Sequence, residues 1–273
     1  MRTWHAWTSP VKGLFARPDA SAPSLRGPGG DLLRRLLSRH RSIIAGALLL
    51  ISVLGWWYLV AAPMPMPGAH GVWSPGYLTL SFVMWFVMMV AMMTPSVAPV
   101  VLLYDRVMHR EQTGWHPRTL AFLSGYFIVW GGFSAAATLA QAALIRAGLI
   151  DAMGVAGTHQ LAAVLLLAVA IYQWSAAKSA CLDRCHSPLR FIVQRRRGPL
   201  RDLRAGLAHG SWCVGCCGAL MLLLFVGGVM NLAWVAIITV AVAAEKLVPR
   251  PQQARVLIGV ATLFGAAWFG LMA

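Results

Sequence analysis

Charge is scarce in this 273-residue chain. Only 11% of the residues are Asp, Glu, Lys or Arg, and only eight are acidic. With 59% of the residues apolar, too few charges remain to clothe a soluble globule. Cysteine is limited to Cys181, Cys185, Cys213, Cys216 and Cys217. None of them forms Cys-x-x-Cys-His, so covalent c-type haem attachment through that motif is excluded. No nucleotide-binding loop, serine-nucleophile motif or long internal repeat is present. Three stretches, 63–78, 147–158 and 229–230, contain no Lys or Arg at all.

What the sequence does have is long apolar runs. A bilayer crossing needs about 20 predominantly apolar residues. Seven such runs are expected as spans: 42–62, 79–103, 119–145, 159–177, 207–228, 231–247 and 255–272. The fifth and sixth share one apolar stretch. It is divided at "VGGVMN" because Gly227, Gly228 and Asn231 suit a turn. The predicted fold class is all-α, a polytopic membrane helix bundle occupying 42–273.

The net charge of +15 would suggest nucleic acid in a soluble protein. Here its distribution points to lipid. Of the 23 Lys and Arg residues, 22 fall in the N-terminal tail, 104–118, 178–206 and 246–255. Seven spans place all four segments on one side. By the positive-inside rule that side is the cytoplasm, giving an N-in and C-out topology. Residues 1–41 are expected to be a basic, largely disordered tail. Its "RRLLSRHR" stretch (Arg34–Arg41) would rest on anionic headgroups. The partners expected are the lipid bilayer and a metal ion, with no nucleic acid.

The metal expectation starts at "HGSWCVGCCGALM" (His209–Met221). On a helix His209, Cys213 and Cys217 recur every four residues, and Cys216 lies three after Cys213. At 100° per residue the four share an arc of about 100°. Met221 continues the rail. Thiolate, thioether and imidazole together suit Cu(I) best among common metals, with zinc as the alternative. The plain alternative is packing, since buried free cysteine behaves as a small hydrophobe.

A second donor-rich segment is "MWFVMMVAMMTPSVAP" (Met84–Pro99). Met84, Met88 and Met92 form one i+4 rail, and Met89 and Met93 another. The five spread over about 180°, too wide for one ion. Pro95 cannot donate to the Ala91 carbonyl, so the helix should kink there and free a backbone oxygen. In the predicted topology Met92, Met93, Cys216 and Cys217 all lie near mid-membrane, and Met221 matches Met88 and Met89 in depth. Core packing by gap-filling methionine is again the alternative.

Glu245 is the one acid expected inside a span. Intramembrane ionisable groups default to a functional reading. Folding about residue 229 or 230 sets Glu245 near the level of Cys213. It could ligate, accept a proton or pair with His209, or it could pair with Lys246 at the interface. A secondary donor set, Cys181, Cys185 and His186, closes the fourth span. Facing a reducing cytosol, it is not expected to be a structural disulfide; it could pass metal to or from the inner face. Met64, Met66 and His70 form a further candidate capture loop.

The motifs "AMMTPS", "GYFIVWGGFS", "CLDRCHSPLRF", "GLAHGSWCVGCCGALM", "VGGVMN" and "EKL" occur in that order over 75–272. This set resembles the uncharacterised bacterial family of predicted metal-binding integral membrane proteins, domain of unknown function 2182. The resemblance implies metal binding and points to Met92, Met93, His209, Cys213, Cys216, Cys217, Asn231 and Glu245. No assigned reaction comes with it. The expected function is therefore soft-metal binding for transport, delivery or tolerance, in contact with a metallochaperone or a membrane complex. Alternatives are a membrane thiol–disulfide protein and a scaffold for assembling a membrane complex. The Cys213-x-x-Cys216 spacing fits a redox pair, but the thioredoxin context is absent. Haem b on His209 lacks a convincing second axial histidine.

Overall fold

A computed structural model describes residues 28–62, 65–67, 71–110, 115–186, 200–248 and 251–272. By internal contacts the chain divides into Met1–Ile43 and Ile44–Ala273. The fold described below is that of the second unit. Among the described residues there are nine helices and no strand, only an isolated bridge between Ile150 and Ala156. The expected tail 1–27, the side chains before Ser42, and Met64 and His70 lie outside the described residues.

The helices are α1 (Pro28–Ala61), α2 (Pro75–Arg110), α3 (Trp115–Arg146), α4 (His159–Gln173), α5 (Ala176–His186), α6 (Arg201–Met221), α7 (Leu224–Gly227), α8 (Leu232–Leu247) and α9 (Pro251–Leu271). Among the described residues, five stretches are long and apolar enough to cross a membrane: Ser42–Ala61, Pro75–Val107, Pro117–Arg146, Arg201–Gly227 and Pro251–Leu271. Large apolar side chains such as Leu50, Trp57, Leu120, Ile128, Val240, Leu257 and Phe264 point outward from the bundle. Ser81, Thr94, Gln141, Gln173 and the thiols of Cys213, Cys216 and Cys217 are turned inward.

Two of the seven expected spans differ from continuous long helices. The run 159–177 breaks after Gln173, and α4 and α5 meet at a bend of 65°. Trp174 and Ser175 close α4 with turn bonds to Ile171 and Tyr172. The Ser175 hydroxyl then accepts the Lys178 amide at 3.1 Å and starts α5. Taken together, α4 and α5 are long and apolar enough to cross a membrane as a broken span or to form a re-entrant loop. The run 231–247 forms α8, whose 16 residues reach about 24 Å, short of a hydrocarbon core of about 30 Å.

The expected break at 226–231 is present. Gly228 takes φ +96°, a conformation that a side chain disfavours. Asn231 caps α8, its side chain accepting from the Trp234 amide at 3.2 Å. The same residue donates back to the Gly227 carbonyl.

Close approach of helices brings the site together. Gly206 of α6 lies directly on the Phe122 carbonyl of α3, and Gly125 of α3 lies on the Leu203 carbonyl of α6. A side chain at either position would push the two backbones apart, so this small-residue contact sets their spacing. Tyr104 of α2 donates to Asp202 of α6 at 2.5 Å. Trp85 of α2 donates to Gln141 of α3 at 2.6 Å.

Helix α2 continues through both Pro95 and Pro99. The carbonyl that Pro95 leaves without its helical donor, Ala91, accepts the Ser52 hydroxyl of α1 at 2.9 Å. Gly55, one turn along α1, lets the two helices close on Ala91. The expected freed oxygen is therefore present and is satisfied by a neighbouring helix.

Candidate metal centre

The α6 rail is buried along its length. His209, Cys213, Cys216, Cys217 and Met221 all face the core. Three other helices reach it. From α2, the Met93 sulfur lies 3.9 Å from the Cys217 sulfur. From α5, the Cys185 sulfur lies 3.6 Å from the Cys216 sulfur. From α3, the Tyr126 hydroxyl lies 3.1 Å from the Cys213 sulfur.

Those sulfur–sulfur spacings have chemical meaning. Two sulfurs bound at about 2.3 Å and at a tetrahedral angle stand about 3.8 Å apart. Both pairs are near that value in the folded chain. Cys216 and Cys217 are adjacent, and both donate to the Cys213 carbonyl, at 3.2 and 2.9 Å. The two pairs are therefore neighbours on one turn of α6. Among the described residues, no three His, Cys, Asp or Glu side chains form a ready-made metal cage. The soft donors come as pairs, one of them containing a thioether.

Cys213 has a different environment. The Lys246 ammonium of α8 lies 2.7 Å from its sulfur and 3.5 Å from the Ser96 hydroxyl. A cavity of about 200 Å³ opens beside them, lined by Ser96, Tyr126, Cys185, His209, Cys213 and Lys246 among others. His209 packs between Tyr126 and Phe122, with ring centroids 5.8 and 5.9 Å away.

The remaining expected site residues are distributed around this core. Met88, Met92 and Met221 are buried within it. Met88 also lines a second, smaller cavity with Met84 and Met230. Cys181 is half-buried beside Gly215, where an added Cβ would come within 2.8 Å of its sulfur. His186 ends α5, but its side chain lies outside the described residues. Met66 is exposed.

Glu245 differs most from expectation. Of the partners considered for it, His209 stacks in the aromatic wall and Lys246 reaches Cys213. Glu245 instead forms an ion pair with Lys178 of α5, at 2.7 Å. Both side chains are buried, at 0% and 1% exposure. Gln173 of α4 also donates to the carboxylate at 2.7 Å. The sequence groups Lys178 with the basic segment 178–206, and the fold buries it. The physical reason is that a buried carboxylate requires a counter-charge, and the α4–α5 bend supplies one.

Tyr126, Lys178 and Gln173 are site residues that the motifs do not single out, and Lys246, weighed above as a partner for Glu245, reaches Cys213 instead. A signal existed for Lys178. It is the first basic residue after the 159–177 run, and it precedes Cys181 and Cys185 by three and seven residues, on one helical face.

An all-helical bundle with several bilayer-length apolar helices and inward-facing thiols and thioethers defines a class, a helical protein with a buried soft-donor core. The chain belongs to the copper-chaperone family PpoB2, whose model matches residues 82–269. That range holds both sulfur pairs and the Lys178–Glu245 ion pair. Membership of that family supports a copper association. No curated protein and no solved structure matches the chain.

Proposed function

We propose that this chain is a multi-pass protein of the bacterial inner membrane that binds Cu(I) among its helices and delivers it to an acceptor. The Lys and Arg distribution supports seven passes, N-in and C-out, with α8 as a short one. The single observation carrying the metal reading is the pair of sulfur contacts, Cys185–Cys216 at 3.6 Å and Cys217–Met93 at 3.9 Å. Family membership adds copper to that geometry.

In this reading the copper ligands are Cys185, Cys216, Cys217 and Met93. Cys213, already engaged by Lys246 and Tyr126, forms the wall next to them with His209. Copper is favoured over zinc on donor chemistry. Zinc sites draw on Cys, His and carboxylate, four at a time in structural sites. Thioethers belong with Cu(I), and paired soft donors suit an ion that must be handed on. Met88, Met92 and Met221 extend the soft surface along the core.

The test compares Ser and Ala at Cys185, Cys216 and Cys217 in purified protein, with bound copper and zinc measured beside thermal stability. Equal copper loss for Ser and Ala, with stability kept in the Ala variants, is the expected result. If the triple Ala variant carries wild-type copper, the site is lost as an idea. The Cys185–Cys216 approach also favours a thiol–disulfide reading. Protein that holds no copper, with those two thiols converting reversibly to a disulfide, would establish that reading instead.

A further inference from the structure

Two adjacent residues at the end of α8 point to different helices. Lys246 reaches Cys213 on α6. Glu245 reaches both sides of the α4–α5 break: Gln173 Nε2 on α4, at 2.7 Å, and Lys178 Nζ on α5, at 2.9 and 2.7 Å to its two oxygens. One carboxylate therefore clamps the last residue of one helix and the first turn of the next. All three side chains are buried. Lys178, Leu182 and Cys185 follow each other on one face of α5, and that face is buried.

We propose that Glu245, with Lys178 and Gln173, sets the bend between α4 and α5 and thereby holds Cys185 against Cys216. Glu245 is a positioning residue for the Cys185–Cys216 pair and does not itself bind the ion. The functional consequence rests on the copper reading above; the positioning itself does not.

The geometry gives the clamp its leverage. From the break at Ser175 to Cys185 is ten residues, about 15 Å of helix. A change of about 10° in the direction of α5 would move Cys185 by roughly 2.6 Å over that length. Directed along the contact, that opens the 3.6 Å sulfur pair to about 6 Å, beyond the roughly 4.6 Å that two metal–sulfur bonds of about 2.3 Å can span. Among the described residues α5 has other ties as well: the Arg255 guanidinium of α9 donates to Ser179, the Arg184 guanidinium lies 3.9 Å over the Trp212 ring of α6, and Cys181 nests at Gly215. A buried carboxylate with two donors is the strongest of them, because removing one charge strands the other away from water.

The clamp is tested with dibromobimane, a short reagent that alkylates and bridges two neighbouring thiols. The full chain in detergent carries Cys181→Ala, Cys213→Ser and Cys217→Ala, leaving Cys185 and Cys216. Glu245→Gln and Lys178→Met are each expected to slow bridging by about tenfold or more, since each strands a buried group. The exchange Lys178→Glu with Glu245→Lys is expected to recover most of the rate.

A second pair reports on global damage. Cys217 together with Met93→Cys, all other cysteines removed, joins α6 to α2, and Glu245→Gln is expected to leave its bridging unchanged. Unaltered bridging of Cys185 and Cys216 in the single variants overturns the proposal, and so does equal slowing of both pairs. If a single variant fails to fold, Lys178→Met with Glu245→Leu removes both charges and keeps the interior apolar. Slow bridging is expected there too, and wild-type bridging overturns the clamp. No copper enters the assay, so a failure of copper binding leaves its result intact.

Discussion

Replacing Gly206 by Ala should destabilise the protein, although alanine is the better helix former. Intrinsic propensity favours Ala over Gly by about 1 kcal/mol in a helix interior. Against that stands the α3–α6 contact. A Cβ at Gly206 would fall on the Phe122 carbonyl oxygen, with the Phe122 carbonyl carbon 2.8 Å away and its Cα 3.1 Å away. These are backbone atoms and cannot rotate aside. Ordinary carbon–oxygen contacts begin near about 3.3 Å, so the helices must part by about 1 Å. Overpacking of this kind costs about 1–3 kcal/mol, and a rigid neighbour puts the cost toward the upper end. Packing therefore outweighs propensity, and a net loss of about 1–2 kcal/mol is expected. Gly132 supplies the opposite case on the same helix pair, because nothing lies within 4 Å of a Cβ there. Gly132→Ala should be neutral or stabilising, by up to about 1 kcal/mol. Tryptophan fluorescence on heating reads both, at roughly 2–4 °C per kcal/mol for a chain of this size class. Because Tyr126 sits one turn from Phe122 and touches Cys213 at 3.1 Å, Gly206→Ala should also lower copper content. If the two variants shift the melting temperature in the same direction, the close-approach argument is wrong.

Ser52→Ala should cost about 1–3 kcal/mol, the penalty for leaving the Ala91 carbonyl without a donor. Ser52→Ala combined with Pro95→Ala, which restores the helical donor, should recover part of that loss in the same melting assay. Met93→Leu conserves volume and should change stability by less than about 1.5 kcal/mol. It should nonetheless weaken Cu(I) retention against a competing chelator, and unchanged retention would remove Met93 from the ligand set. Reporter fusions should place 178–206 inside and the C-terminus outside. A cytoplasmic C-terminus would rule out seven passes.

Local features were legible in the sequence because their physics is local. The 3.6-residue period alone places His209, Cys213, Cys216 and Cys217 on one face of α6, and the structure buries that face. The turn at Gly228 and Asn231 followed from backbone preferences of single residues. Pro95 announced a carbonyl in need of a donor. Charge scarcity and the long apolar runs set the expectation of apolar helices, and among the described residues five are long enough to cross a membrane.

What the tertiary structure decided are the encounters between helices. The cysteines of 181–185 and of 213–217 read as two separate groups, one at a membrane face and one near its middle. A bend of 65° after Gln173 turns α5 so that Cys185 meets Cys216, and two groups become one. No periodicity encodes that bend; the carboxylate that joins its two arms lies 72 residues beyond Gln173. Glu245 showed in the sequence that a buried charge needed a partner. Which cation would answer could not be read from spacing, because Lys246 adjoins it in the chain but leaves α8 in another direction. Neighbours on a helix diverge by 100°, so adjacency in sequence separated the pair, and packing of distant helices joined Glu245 to Lys178.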